Sequence, residues 1–251
     1  MKIVQSILTN NPCYKAGKKI TVKGLMLHSV GCPQPSASVF IKNWNNSNYK
    51  KACVHAFIDG NNGKVYQTLP WNHRGWHCGG TGNNKYIGVE MCEPACIKYT
   101  SGTKITCTDK VTARAVVQRT YDTAVALFAH LCVKYKLDPM KDIISHTEGA
   151  TKGIASNHGD PEHLWKQLGV GYTMDTFRKA VKTAMTGSTS YMVKITASTL
   201  NVRSGVGITH PIVTTVSRGE IYTITEESNG WGKLKSGAGW INLKYTEKLK
   251  G

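Results

Sequence analysis

Apolar positions along this chain follow two regimes, separated by the small, polar run Thr186-Gly187-Ser188-Thr189-Ser190. Before that seam, strand-like runs alternate with stretches of helical period. Gly24-Leu25-Met26-Leu27-His28 is a short buried strand. Residues 36–44 read as a helix opening at a serine cap. Residues 54–58 and 63–67 read as two strands joined by the turn Asp59-Gly60-Asn61-Asn62, and residues 86–91 as another strand entered from a Gly/Asn-rich loop. Val117, Tyr121, Ala124, Phe128, Leu131 and Tyr135 recur at steps of four and three, which predicts a long helix over residues 110–136, ended by Asp138-Pro139. A short strand at 142–145 then delivers His146, and a helix at 173–184 closes the unit. Strands alternating with helices predict an α/β fold with a central sheet flanked by helices.

Beyond the seam no helical period survives. Short runs at 193–196, 200–203, 212–216, 220–225, 231–234 and 239–243 are separated by Gly, Pro, Ser and Asn turns. That pattern predicts a small all-β barrel. The expected organisation is residues 1–185, a linker at 186–190, and residues 191–251.

Composition adjusts this picture in three ways. With 251 residues, 40% of them hydrophobic, the chain can give one or two domains a core each. No stretch approaches the roughly 18 apolar residues of a membrane span, and the N-terminal segment lacks an apolar core followed by a small-residue cleavage site, so cytoplasmic synthesis without an export signal is expected. Eight irregularly spaced cysteines, all before the seam, read as reduced thiols; Cys92 and Cys96 have no second Cys/His pair with which to form a finger-like zinc site. The net charge of +17, divided as +13 before Ser188 and +4 from there on, implies an acidic partner. Nucleic acid is the usual candidate, but the Lys and Arg residues are scattered, with no basic run or basic/aromatic repeat, and charge alone does not choose between it and another polyanionic surface.

Three segments remote in sequence bring zinc-compatible side chains to predicted strand ends: His28 in LMLHSVG, His146 in IISHTEG, and Asp160 in SNHGDPEHLW. Catalytic zinc sites take three such ligands and keep a fourth position for water. Nine histidines in the chain make some coincidences inevitable, and a histidine at a strand end is often just a satisfied polar residue. Glu90 stands among apolar Ile87, Val89 and Met91, where a charged group needs a partner.

LMLHSVG, VHAFID, GWHCGG, YIGVEMCE and SHTEGATKGIASNHGDPEHLW occur in the order seen in N-acetylmuramoyl-L-alanine amidases of the kind shared by phage lysins and peptidoglycan-recognition proteins. Over about residues 1–185 the chain resembles that family, in particular endolysins of clostridial phages. The resemblance implies a peptidoglycan-recognition-type fold with a mixed sheet, Zn2+ held by His28, His146 and Asp160, and Glu90 as the residue that orients or deprotonates the zinc-bound water. It implies that His158 steadies the oxyanion, with an exchange of roles between His158 and Asp160 left open. Trp76 and His77, in RGWHCGG, match a segment near the zinc and are expected to bind substrate, although a structural hydrogen bond is an alternative for His77. His55 matches a histidine beside the site, and Val54 stands where some relatives carry a tyrosine. The implied partner is bacterial peptidoglycan, and the implied reaction is hydrolysis of the bond between N-acetylmuramic acid and L-alanine, in the manner of a phage endolysin admitted to the wall through a separate pore. The alternative is a non-catalytic peptidoglycan receptor. Leu200-Asn201-Val202-Arg203-Ser204-Gly205, Gly230-Trp231 and Gly239-Trp240-Ile241 resemble bacterial SH3-like domains, which implies a wall-binding barrel in which Asn201 and Arg203 serve the fold.

Overall fold

The computed structural model of the protein describes residues 2–185 and 191–249, so the expected linker at 186–190 lies outside the described residues. The chain separates into two units, Met1–Ala184 and Met185–Gly251. In the first, the elements run β1 (Ile3–Gln5), α1 (Pro12–Lys15), β2 (Gly24–Ser29), α2 (Ala37–Trp44), β3 (Ala56–Ile58), β4 (Val65–Gln67), β5 (Tyr86–Met91), β6 (Ile97–Ser101), β7 (Lys104–Cys107), α3 (Lys110–Tyr135), α4 (Pro139–Asp142), β8 (Ile143–Ser145), α5 (His146–Thr151), α6 (Glu162–Leu168) and α7 (Met174–Met185). Six strands form one mixed sheet in the order β1-β4-β3-β5-β2-β8, in which β3, β5, β2 and β8 pair in parallel. β6 and β7 form a separate hairpin.

β2 lies in the interior of this sheet with all six residues buried. A strand covered on both faces needs an uninterrupted apolar run, which is why Gly24 to Leu27 carries no polar residue. Phe57 of β3 stacks on Phe40 of α2 with centroids 5.1 Å apart, and Trp44 meets its edge at 5.0 Å. The long helix α3 buries Val117, Tyr121, Ala124, Phe128 and Leu131, and Phe177 of α7 packs edge-on against Phe128 at 5.2 Å. Each large side chain buried in this way contributes about 1.5–3 kcal/mol.

The expected bounds of α2 and α3 hold, but the groups that cap and end these helices differ from those expected. Ser36 occupies the N-cap position of α2 but does not cap it, since its hydroxyl pairs with that of Ser38 at 2.8 Å. The buried Asp59 does so from the next turn, its Oδ2 accepting from the Ala37 amide at 2.8 Å while Oδ1 accepts from those of Asn61 and Asn62. Helix α3 ends at Lys136, whose left-handed φ of 55° lets its N–H reach back to the Cys132 and Val133 carbonyls. Asp138-Pro139 therefore opens α4 instead of closing α3, with the Asp138 carboxylate accepting from Met140 N–H at 3.0 Å.

The second unit contains β9 (Tyr191–Ile195), β10 (Thr199–Arg203), β11 (Ile212–Ser217), β12 (Ile221–Ser228), β13 (Trp231–Leu234), β14 (Trp240–Asn242) and β15 (Thr246–Lys248), in an antiparallel sheet ordered β11-β10-β14-β13-β12-β9-β15. Its core gathers Val193, Ile195, Val202, Ile224, Leu234 and Ile241. Arg203 serves the fold, donating through Nη1 to the His210 carbonyl at 2.7 Å. All eight cysteines are free thiols. No helix among the described residues is long and apolar enough to cross a membrane.

Candidate metal centre

Parallel pairing of β5, β2 and β8 carries Glu90 and His28 toward the C-terminal ends of adjacent strands and releases His146 immediately after the third. That end of a parallel sheet is where ligands commonly bind. His146 is the first residue of α5, and its backbone is fixed by a reciprocal cap: the Glu148 amide donates to Ser145 Oγ at 3.0 Å, and the Ser145 amide donates to Glu148 Oε2 at 3.1 Å. Arg178 holds the Glu148 carboxylate at 2.9 and 3.0 Å. Asp160 comes from the loop before α6. The Ser29 amide donates to its Oδ2 at 3.3 Å, and the Thr147 hydroxyl donates to its backbone carbonyl at 3.3 Å.

These supports bring three donor atoms together. His28 Nδ1 lies 3.0 Å from His146 Nδ1 and 3.4 Å from Asp160 Oδ2, and His146 Nδ1 lies 3.4 Å from Asp160 Oδ1. Ligands bound tetrahedrally at 2.0–2.1 Å from a zinc ion stand about 3.3 Å apart, so the spacing and the donor types both fit such an ion. His28, His146 and Asp160 are all buried. Burial alone would raise the Asp160 carboxyl, but the adjoining His146 and His28 imidazoles outweigh it and hold Asp160 well below the usual carboxylate range. Burial pushes the His28 imidazole down, opposed by Asp160, and so favours its neutral, ligating form.

Glu90 is register partner to His28 across β5 and β2. The residue is half-buried, yet its Oε2 is sealed from solvent with no hydrogen-bond partner among the described residues. Burial first, and then the charges of Asp160 and Glu93, raise its carboxyl well above the ordinary glutamate range. Glu90 opens onto a cavity of about 480 Å³ lined also by Lys51, Trp76, His146, His158 and Asp160. Trp76 reaches this cavity half-buried, its backbone bridged to Cys53.

His158 stays outside the three-atom cluster. It is exposed, its ring centroid lies 4.5 Å from that of His146, and its Nδ1 is 2.9 Å from Ser156 Oγ. The same hydroxyl lies 3.2 Å from His146 Nε2 and 3.2 Å from the Cys78 carbonyl. Ser156 therefore links two of the sequence-identified residues; it opens the SNHGDPEHLW segment, which gave it no role of its own. His77 faces inward, with Nδ1 3.0 Å from His28 Nε2 and Nε2 3.1 Å from the Tyr86 carbonyl. His55, fully buried, takes the Gly88 amide on Nδ1 and donates from Nε2 to the His73 carbonyl. Cys92 and Cys96 join no comparable cluster among the described residues.

A second cavity of about 560 Å³ adjoins through Gly31, His158 and Asp160 and is closed on its far side by the β6–β7 hairpin. There the Tyr99 hydroxyl donates to Glu93 Oε2 at 2.7 Å and lies 2.7 Å from His163 Nε2. Burial, partly offset by hydrogen bonds from the Tyr99 hydroxyl and the Gly31 amide, pushes the Glu93 carboxyl up to about 7. This network too escaped sequence reading. Alternation of Ile97 and Tyr99 with Lys98 and Thr100, followed by Gly102, is a period-two signal that could have placed the hairpin.

The family described as N-acetylmuramoyl-L-alanine amidase matches residues 18–163, and the bacterial SH3 domain matches residues 198–247. The N-acetylmuramoyl-L-alanine amidase CwlH of Bacillus subtilis is 37% identical over 91 residues, which is 34% of this chain and 34% of CwlH, so the match spans about a third of that relative's length. Two solved structures share the fold. The Staphylococcus aureus hydrolase AmiA aligns at a TM-score of 0.53 and 21% identity, over 72% of this chain and 82% of its own. A mutant endolysin from Bacillus subtilis aligns at 0.50 and 20%, over 72% and 99%. With the family matching more than half of its length across the segment that bears His28, Glu90, His146 and Asp160, the chain belongs to the N-acetylmuramoyl-L-alanine amidases.

Proposed function

We propose that the protein hydrolyses the amide bond between N-acetylmuramic acid and L-alanine in bacterial peptidoglycan, with His28, His146 and Asp160 holding a zinc ion. The observation that carries this reading is the convergence of His28 Nδ1, His146 Nδ1 and the Asp160 carboxylate at zinc-ligand spacing beside the unpartnered Glu90 Oε2. When bound, zinc supplies a Lewis acid for the scissile carbonyl and lowers the pKa of water toward 7.

This chain's own residues do the rest. Glu90, made more basic by burial, takes the proton of the attacking water and returns it to the departing amine of L-alanine. His158, exposed at the cavity and steadied through Nδ1 by Ser156, offers Nε2 to the oxygen of the tetrahedral intermediate. Trp76 forms a wall of the groove. Residues 1–185 constitute the catalytic domain, and residues 191–251 hold the enzyme on the wall and raise its local concentration at a polymeric substrate. The net charge of +17 draws the chain to the same polyanionic surface. As a phage endolysin the protein would lyse the host cell, reaching the wall through a pore made by another protein. A non-catalytic receptor would have no use for an intact donor set and a sealed carboxylate.

Metal analysis together with product analysis tests the proposal. The purified protein should contain about one zinc per chain. Digestion of cell walls should release free L-alanine amino termini without reducing sugars, and new reducing ends would identify a glycosidase instead.

A further inference from the structure

We propose that His77 is a positioning residue that fixes the tautomer of His28, so that the Nδ1 lone pair of His28 is presented to the metal site. The inference rests on the metal reading above and deepens it.

The argument starts at a backbone carbonyl, which can only accept. The Tyr86 carbonyl lies 3.1 Å from His77 Nε2, so a neutral His77 carries its proton there and leaves Nδ1 as a lone pair. That lone pair lies 3.0 Å from His28 Nε2, so His28 in turn carries its proton on Nε2. Its Nδ1 is then bare, and this is the atom that faces His146 Nδ1 at 3.0 Å and Asp160 Oδ2 at 3.4 Å. The opposite assignment would set the His77 Nε2 lone pair against the Tyr86 carbonyl.

The relay is built into the sheet. Tyr86 opens β5 opposite Gly24 of β2, the strand that ends with His28 and Ser29, so the terminal acceptor and the metal-site imidazole share one rigid scaffold. The two rings meet edge to face, with centroids 5.1 Å apart and planes at 80°. Space for His77 exists only because residue 88 is glycine: a Cβ there would come within 2.4 Å of His77 Cγ. His77 also lines the cavity beside Glu90 and Asp160, but both of its ring nitrogens are engaged inside the protein, so it acts on the metal site through His28. Groups that orient a ligating histidine in this way typically change metal affinity 10–100-fold when removed.

The test uses the full chain. Zinc affinity is measured by competition with a chromogenic chelator, and histidine tautomers by long-range proton–nitrogen NMR of the labelled wild type with and without zinc. His77→Leu, which removes the acceptor, should weaken zinc binding by about 10–100-fold. His77→Asn, whose Oδ1 can replace the lost Nδ1, should stay within a few-fold of wild type. Both His77 and His28 of the zinc-bound wild type should show the Nε2–H form. Unchanged zinc affinity in folded His77→Leu, or an Nδ1–H tautomer at His77, would overturn the inference. Should the variants fail to fold, the wild-type spectra decide alone. Failure of the wild type to take up zinc would overturn the metal reading, while the His77 tautomer in that same metal-free sample still judges the relay.

Discussion

Glu90 and His28 stand directly opposite one another on neighbouring parallel strands, so one pair of register partners sets the sealed carboxylate beside the metal-site imidazole. Because the carboxylate is not one of the three clustered donors, its chemistry separates from ion binding. Glu90→Gln should keep zinc at the wild-type level and lose about 10²- to 10⁴-fold in amide hydrolysis, measured as alanine amino termini released against metal content. The base must be ionised to act, and its pKa is raised, so activity should fall as pH drops through a value above the ordinary glutamate range.

Removal of a donor has a different signature. His28→Ala and Asp160→Ala should each abolish both zinc retention and hydrolysis, read by metal analysis after dialysis. A variant that lost activity yet kept its zinc would show that the residue does not hold the ion.

Glu93 predicts a pH dependence of stability. Its carboxyl moves from 4.5 to about 7 on folding, so between those values the folded state binds more protons than the unfolded one. Its contribution is present in full below 4.5 and is lost as pH rises through about 7, a displacement equivalent to roughly 3 kcal/mol. Denaturant titrations from pH 4.5 to 8 should show that loss, and Glu93→Gln should flatten it.

Asp59 tests the fold independently of the chemistry. Its carboxylate serves the first amide of α2 and two amides of the following turn, so Asp59→Ala strands three donors. The expected cost is about 2–3 kcal/mol, measured by chemical denaturation.

Deletion of residues 188–251 should weaken binding to purified cell walls in a sedimentation assay and leave the zinc content of the remaining chain unchanged. Equal binding with and without that segment would remove its assigned wall-anchoring role.

Much of this architecture was legible in the residues themselves. The apolar run at β2, the four-and-three spacing of α3 and the boundaries of β5 follow directly from periodicity, because burial on a regular element repeats at that element's pitch. His28, His146 and Asp160 could be singled out because the segments that carry them resemble those of a known family; spacing alone left them open to coincidence. What escaped were features that join residues distant in sequence and leave no local period. The Ser156 hydroxyl is a generic loop residue until folding sets it between His146 and His158. Asp59 reads as a turn former, and only the tertiary structure shows it capping a helix 22 residues earlier. The inward orientation of His77 depends on the missing side chain at Gly88, which a sequence shows only as one glycine among 25.

The three clustered donors lie at positions 28, 146 and 160, with β8 joining β2 at one edge of the sheet. A nascent chain therefore presents His28 alone until His146 emerges, and it cannot offer the complete donor set until Asp160 has emerged and β8 has docked. Capture of the proposed zinc ion would thus wait until the segment bearing Asp160 has been made and joined to the sheet.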